Sequence, residues 1–208
     1  KPDFISWHHY GTNPDQVAAQ PARMKALVAE CGFPDVDLII NEWHFLAENN
    51  WDTLRGSKPE DFLRTHKGPA SQNGIDSAAY TLAVESKFQD SCLSQAYFYG
   101  CGYDWDWGWV DRLTHRLVKP YYAIQAMGEL VKDCKHKVKT ASSDKGVTPF
   151  AAVSADGRTA VVLIADYRSG LDKIEISMKG LGGFKVKEVR ILDDANDLAP
   201  VTAKLEGD

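Results

Sequence analysis

The sequence lacks the marks of several large functional classes. No apolar run approaches the roughly 20 residues that a membrane-spanning helix needs. No Lys/Arg run stands out and the net charge is −5, so neither nucleic acid nor an anionic membrane is expected as a partner. GxGxxG and Walker patterns are absent, and with them any sign of nucleotide binding. No GxSxG elbow signals a nucleophilic serine. Cys31, Cys92, Cys101 and Cys134 are scattered, with no CxxC pair. A zinc or thioredoxin-like site therefore has no support, and four cysteines in 208 residues do not make a disulfide scaffold. They read as small buried hydrophobes, with one disulfide and the compartment left open. Nothing in the pattern asks for a cofactor.

What is present is the composition of a soluble globular protein, 44% hydrophobic and 25% charged. The length suits one large domain or two small ones. The chain opens at Lys1 with no Met and no signal-like segment, and residues 3–7 already read as strand. A chain that opens inside a strand is expected to be a piece of something longer.

Up to about residue 134 the pattern alternates. Residues 3–10 are strand-like. Asn13-Pro14-Asp15 opens a helical stretch, Pro21 suits a fresh first turn, and Met24, Leu27, Val28 and Cys31 share one helical face. Gly32 is a stop signal. Residues 35–40 form a second strand whose continuous apolar run suits burial on both faces. A long polar stretch, 44–74, follows, with a short helical piece at 59–65. A loop of that size in a compact domain is commonly functional. Residues 76–90 predict a helix with Ala79, Leu82, Ala83 and Phe88 near one face. Residues 93–100 predict a third strand. Residues 120–134 predict a helix with Tyr121, Ile124, Met127, Gly128 and Val131 inward. This order implies parallel strands with right-handed crossovers, whose carboxyl-end loops do the chemistry. Residues 135–146 read as a linker. Residues 150–154 and 159–165 then form a hairpin on Asp156-Gly157, with further strands at 173–178 and 186–192.

Chemistry concentrates at strand ends. Glu42 follows Leu38-Ile39-Ile40-Asn41 and projects at the end of a buried strand. It reads either as a functional carboxylate or as a salt-bridged or solvent-facing one. Alternation along Ser6-Trp7-His8-His9-Tyr10 puts His8 and Tyr10 on one face and His9 on the other. That pair suits hydrogen bonding to a sugar hydroxyl or a carboxylate, or else packs as a satisfied core histidine and tyrosine. In Tyr103-Asp104-Trp105-Asp106-Trp107-Gly108-Trp109 the three indoles share one face of an extended chain. Such faces stack on the apolar side of sugar rings, or form a plain aromatic core. Trp51 is a weaker candidate. Asp104 and Asp106 have no further carboxylate or His clustered near them in sequence, so no metal site is expected.

Trp7-His8-His9-Tyr10, then Leu38 to Phe45, then an aromatic third strand and Lys119-Pro120-Tyr121-Tyr122-Ala123-Ile124-Gln125-Ala126-Met127-Gly128-Glu129-Leu130 resemble the C-terminal half of a clan A glycoside hydrolase. The likeness is to the family 39 type, which includes β-xylosidases and α-L-iduronidases, and it covers nearly the whole chain. The resemblance implies an α/β fold: the C-terminal part of a (β/α)8 TIM barrel, about three β/α units, then a small antiparallel β-sandwich module. Residues 1–136 would hold strands six to eight and residues 147–208 the module. It implies a retaining mechanism with two glutamates. Asn41-Glu42-Trp43 matches the nucleophile's position, so Glu42 would be catalytic. His8, Tyr10, Asn41, Trp43, Trp105 and Trp107 would contact the oligo- or polysaccharide or glycoside. The family's acid/base glutamate follows the fourth strand, a segment that would precede Lys1. A missing N-terminal barrel half, or another chain, would cover the exposed strand edges, and the 208 residues alone are expected to be inactive. A non-catalytic carbohydrate-binding protein with an aromatic platform is the alternative.

Overall fold

The computed structural model describes residues 2–51, 68–104, 107–180 and 184–202. Strands β1 (Phe4–Gly11), β2 (Asp37–Phe45) and β3 (Gln95–Phe98) form one parallel sheet in that order. Helix α1 (Pro14–Glu30) links β1 to β2, and α2 (Ile75–Phe88) links β2 to β3. A short parallel pair, β4 (Tyr103–Asp104) and β5 (Val110–Asp111), precedes helix α3 (Lys119–Asp133). An antiparallel sheet follows, with β6 (His136–Val138), β7 (Val147–Val153) and β8 (Ala160–Asp166) in sequence order. Strands β9 (Val189–Leu192) and β10 (Asp197–Val201) close the chain as a hairpin.

The parallel sheet has a packed face and an open face. Ile5, Trp7, Leu38, Ile40, Trp43 and Phe45 point to the helices, where Val17, Val28, Tyr80 and Val84 complete the core. Phe4 and Tyr97 lie exposed. Residue Ile39, between Leu38 and Ile40, is only half-buried, so the second strand is not covered equally on both sides as its apolar run suggested.

Several local expectations are corrected. Helix α1 runs unbroken through Pro21 instead of restarting there. Its start is fixed by the Asn13 side chain, which accepts from the amides of Asp15 and Gln16 at 2.9 and 3.2 Å. Its buried stripe is Val17, Pro21 and Val28, while Leu27 and Cys31 are exposed. The stripe of α3 is Ala123, Ala126, Met127 and Leu130, and Val131 is exposed. Small or compact residues (Val17, Pro21, Val28, Ala123 and Ala126) make much of both contacts, joined in α3 by Met127 and Leu130. Helix α2 is buried around most of its surface, because the sheet lies on one side and β7 and β8 pack against it as well. Strand β6 lies inside the stretch read as a linker and pairs with β7. Residues 172–179 form no strand. The Asp156-Gly157 turn is present, with Gly157 at φ +69°, where glycine avoids the Cβ penalty. The helical piece expected at 59–65 lies outside the described residues.

Candidate active site at the ends of the parallel strands

The strand pairing places Glu42. Trp7 pairs with Ile40 and His8 with Glu42, so Asn41 is an extra residue on β2. The same slip recurs against β3, where Ile40 pairs with Ala96 and Trp43 with Phe98. This is a β-bulge. Without it, strict alternation would send Glu42 to the helix face with Leu38 and Ile40. With it, Glu42 shares the open face with His8 and Tyr10, and Trp43 and Phe45 return to the core.

The Tyr10 hydroxyl donates to Glu42 Oε2 at 2.7 Å. His8 Nδ1 lies 3.1 Å from the same oxygen. Asn41 Nδ2 lies 3.2 Å from His8 Nε2. If the Asn41 amide donates, Nε2 is the acceptor and Nδ1 carries the proton that faces the carboxylate. Burial raises the Tyr10 phenol well above an ordinary tyrosine, and its bond to Glu42 adds to the rise. Tyr10 therefore remains a donor throughout the neutral range.

An aromatic wall stands beside this group. Around the Tyr10 ring lie Trp51 at 4.9 Å, Trp107 at 5.2 Å and Tyr99 at 5.9 Å between centroids. Trp107 also meets Trp51, Tyr99 and His44. Trp107 reaches the wall because Gly100 lets the two backbones touch. A Cβ on Gly100 would sit 1.9 Å from the Trp107 carbonyl oxygen.

His44 supports the wall from beneath. It is fully buried, and burial drives its imidazole down to about 4, partly offset by the bond between Nδ1 and the Phe45 carbonyl at 2.8 Å. The ring is thus neutral, with Nδ1–H donating. Gln72 secures the same turn. Its amide donates to the Phe45 carbonyl at 2.6 Å and its oxygen accepts from the Ala47 amide at 2.5 Å.

Of the residues expected to contact substrate, His8, Tyr10, Asn41 and Trp107 gather around Glu42. Trp43 does not. It is 2% exposed, packs edge-on to Phe88 and Phe98, and belongs to the core. Strand alternation turns it away from its neighbour Glu42. Trp105 and Asp106 lie outside the described residues. The expected common face of the indoles is not kept by the two that are described, because Trp109 packs on Tyr121 of α3 instead. Sequence reasoning missed Tyr99, His44 and Gln72. For Tyr99 a signal existed: it follows Tyr97 by two positions at the end of the third strand. Gln72 gave none, because its partners are 25 and 27 residues away.

No family model matches the chain, and no curated protein matches it. Solved structures do. A glucosidase from Croceicoccus marinus aligns with a TM-score of 0.59 and 22% identity, over 79% of this chain and 32% of its own. An α-L-arabinofuranosidase from Thermotoga maritima, solved with arabinose, aligns at 0.56 and 14% identity, over 80% and 38%. A thermostable GH51 α-L-arabinofuranosidase from Thermotoga petrophila aligns at 0.54 and 14% identity, again over 80% and 38%. The structural neighbours are thus glycoside hydrolases. At these identities the likeness is one of fold, and the chain spans about a third of the length of the structures it matches.

Proposed function

We propose that this chain is the nucleophile-bearing part of a retaining glycoside hydrolase of (β/α)8 architecture, of the family 39 type. The carrying observation is Glu42 at the carboxyl end of a parallel strand, with one oxygen held by Tyr10 and His8 beside an aromatic wall. The fold-level likeness to glycosidases supports this reading.

On this reading the free oxygen of Glu42 attacks the anomeric carbon and forms a glycosyl ester as the bond to the leaving oxygen breaks. A carboxylic acid from the segment that would precede Lys1 gives its proton to that oxygen. The same group, now a base, takes a proton from water, which attacks the anomeric carbon and releases Glu42. Tyr10 and His8 keep Oε2 fixed, so the other oxygen is aimed. Trp107 and Trp51 offer apolar faces to the sugar ring. The preceding β/α units would also cover the open sheet face, since parallel sheets are normally covered on both sides.

The test is hydrolysis of aryl glycosides by the full-length polypeptide, wild type against Glu42→Gln. Turnover should fall by roughly 10³-fold or more, and azide should restore product formation in Glu42→Ala. Unchanged turnover would sink the assignment. The aromatic wall favours a second reading, a non-catalytic carbohydrate-binding protein in which Glu42 only accepts hydrogen bonds. Sugar binding without any hydrolysis by the full-length wild type would select that reading.

A further inference from the structure

The terminal β-module touches the ends of both strands that carry the Tyr10–Glu42 pair. Tyr167, just past β8, makes the contact to the strand ends, and its neighbour Arg168 pairs with Asp76 of α2. The Tyr167 hydroxyl donates to the Thr12 carbonyl at 2.7 Å, two residues beyond Tyr10. The Tyr167 ring packs on Phe45, three residues beyond Glu42, at 6.5 Å, and on Tyr80 of α2 at 5.8 Å. Arg168 donates from Nε and from a terminal nitrogen to Asp76 Oδ2, each at 2.7 Å.

The Tyr167-Arg168 dipeptide is itself held rigidly. The Tyr167 amide donates to the Gly146 carbonyl at 2.7 Å. Gly146 lies so close to Ser169 that a Cβ on it would meet the Ser169 backbone at 2.6 Å. Arg168 adopts φ +57°, a left-handed conformation that costs a non-glycine residue and persists where the surroundings impose it. Burial pushes the Tyr167 phenol up to about 12, so the hydroxyl stays a donor at neutral pH.

We propose that Tyr167 is a positioning residue: through the Thr12 carbonyl and the Phe45 ring it fixes the ends of β1 and β2, and so sets the Tyr10–Glu42 hydrogen bond. The module then acts as a brace for the site as well as a cover for the helices. This rests on Glu42 being the functional carboxylate, but the bond it concerns is observable without any sugar. β1 and β2 have a further link at this point, the Leu46 amide donating to the Gly11 carbonyl at 3.0 Å. That link lies between the brace and the site and should weaken with it.

The experiment compares wild type, Tyr167→Phe and Tyr167→Leu by NMR with tyrosine labelled at the ring carbon bearing oxygen. Tyr10→Phe assigns the Tyr10 signal and Glu42→Gln shows how it responds when the bond loses its charged acceptor. Amide exchange is read at Leu46 and, as a reference in the module, at Ala152. Tyr167→Phe keeps the ring and loses only the hydroxyl. It should move the Tyr10 signal toward its Glu42→Gln position and speed Leu46 exchange about fivefold, with Ala152 unchanged. Tyr167→Leu should move both further. A Tyr10 signal and a Leu46 rate unaltered in Tyr167→Phe overturn the proposal, as does equal acceleration at Leu46 and Ala152, which would mark general destabilisation. Tyr167→Phe decides the matter even where Tyr167→Leu fails to fold. If Glu42→Gln left hydrolysis intact, the functional reading would fail while this readout kept its meaning.

Discussion

Tyr10 and Glu42 are 32 positions apart and meet at 2.7 Å, hydroxyl to Oε2. A bond from a neutral donor to a carboxylate is stronger than one between neutral groups, worth about 1.5–3 kcal/mol. On the proposed reading it acts on a carboxylate that has to be aimed at the anomeric carbon. Tyr10→Phe should therefore lower kcat/KM of the full-length polypeptide on an aryl glycoside about ten- to a hundredfold. A rate within twofold of wild type would show that Tyr10 does not aim Glu42.

The bulge at Asn41 makes a sharper prediction about folding. Asn41 is the extra residue of β2, so its deletion leaves Trp43 and Phe45 on the core face and Glu42 on the open face. Only the bond to His8 and the local twist are lost. The cost should be about 1–2 kcal/mol, seen as a fall of roughly 2–8 °C in Tm. Deleting Ile39 instead puts Leu38 out of phase with Ile40 and should abolish cooperative unfolding. Equal damage from the two deletions would contradict the bulged pairing of β2 with β1.

The bulge also marks where the sequence stopped being legible. Strand-helix alternation and the helix start at Asn13-Pro14-Asp15 are readable because each depends on nearby residues, and parallel strands follow from the helical crossovers between them. The shared face of His8 and Tyr10 followed from simple alternation in a regular strand. Along β2 the same rule would have failed, since a bulge is decided by pairing with β1, some thirty residues earlier in the chain. Trp43 is a different case: adjacency to Glu42 in sequence is not adjacency in the site, because successive strand residues face opposite sides. The faces of α1 and α3 are only partly legible, because Pro21, Ala123 and Ala126 line the contact and a periodicity of large apolar residues does not mark them. Gln72 and Tyr167 act on groups far away in sequence, and no local pattern announces such a partner.

Trp43 and Trp107 should separate stability from binding. Trp43 is a core residue between Phe88 and Phe98, and its replacement by Ala should cost about 3–5 kcal/mol. Trp107 is half-buried in the wall. Its replacement by Ala should cost less stability and remove most sugar affinity, measured by titration calorimetry on the full-length polypeptide. Retained affinity in a folded Trp107→Ala variant would remove the wall from the binding site.

Glu85 on α2 carries the last prediction. Its Oε2 is buried without a hydrogen-bond partner among the described residues. Burial pushes its carboxyl from 4.5 up to about 8. The folded state thus holds a proton that the unfolded chain has already released between these two values. Stability then falls as pH rises across that window, by up to about 1.4 kcal/mol per pH unit, and levels off above it. Denaturant titrations from pH 5 to 9 should show this slope in the wild type. Glu85→Gln keeps the shape and removes the ionisable proton, so its profile should be flatter over the same range. Glu85→Leu should be more stable than wild type at pH 8, because no polar oxygen is left buried and unpaired. Parallel profiles for the wild type and Glu85→Gln would show that Glu85 ionises normally in the folded protein.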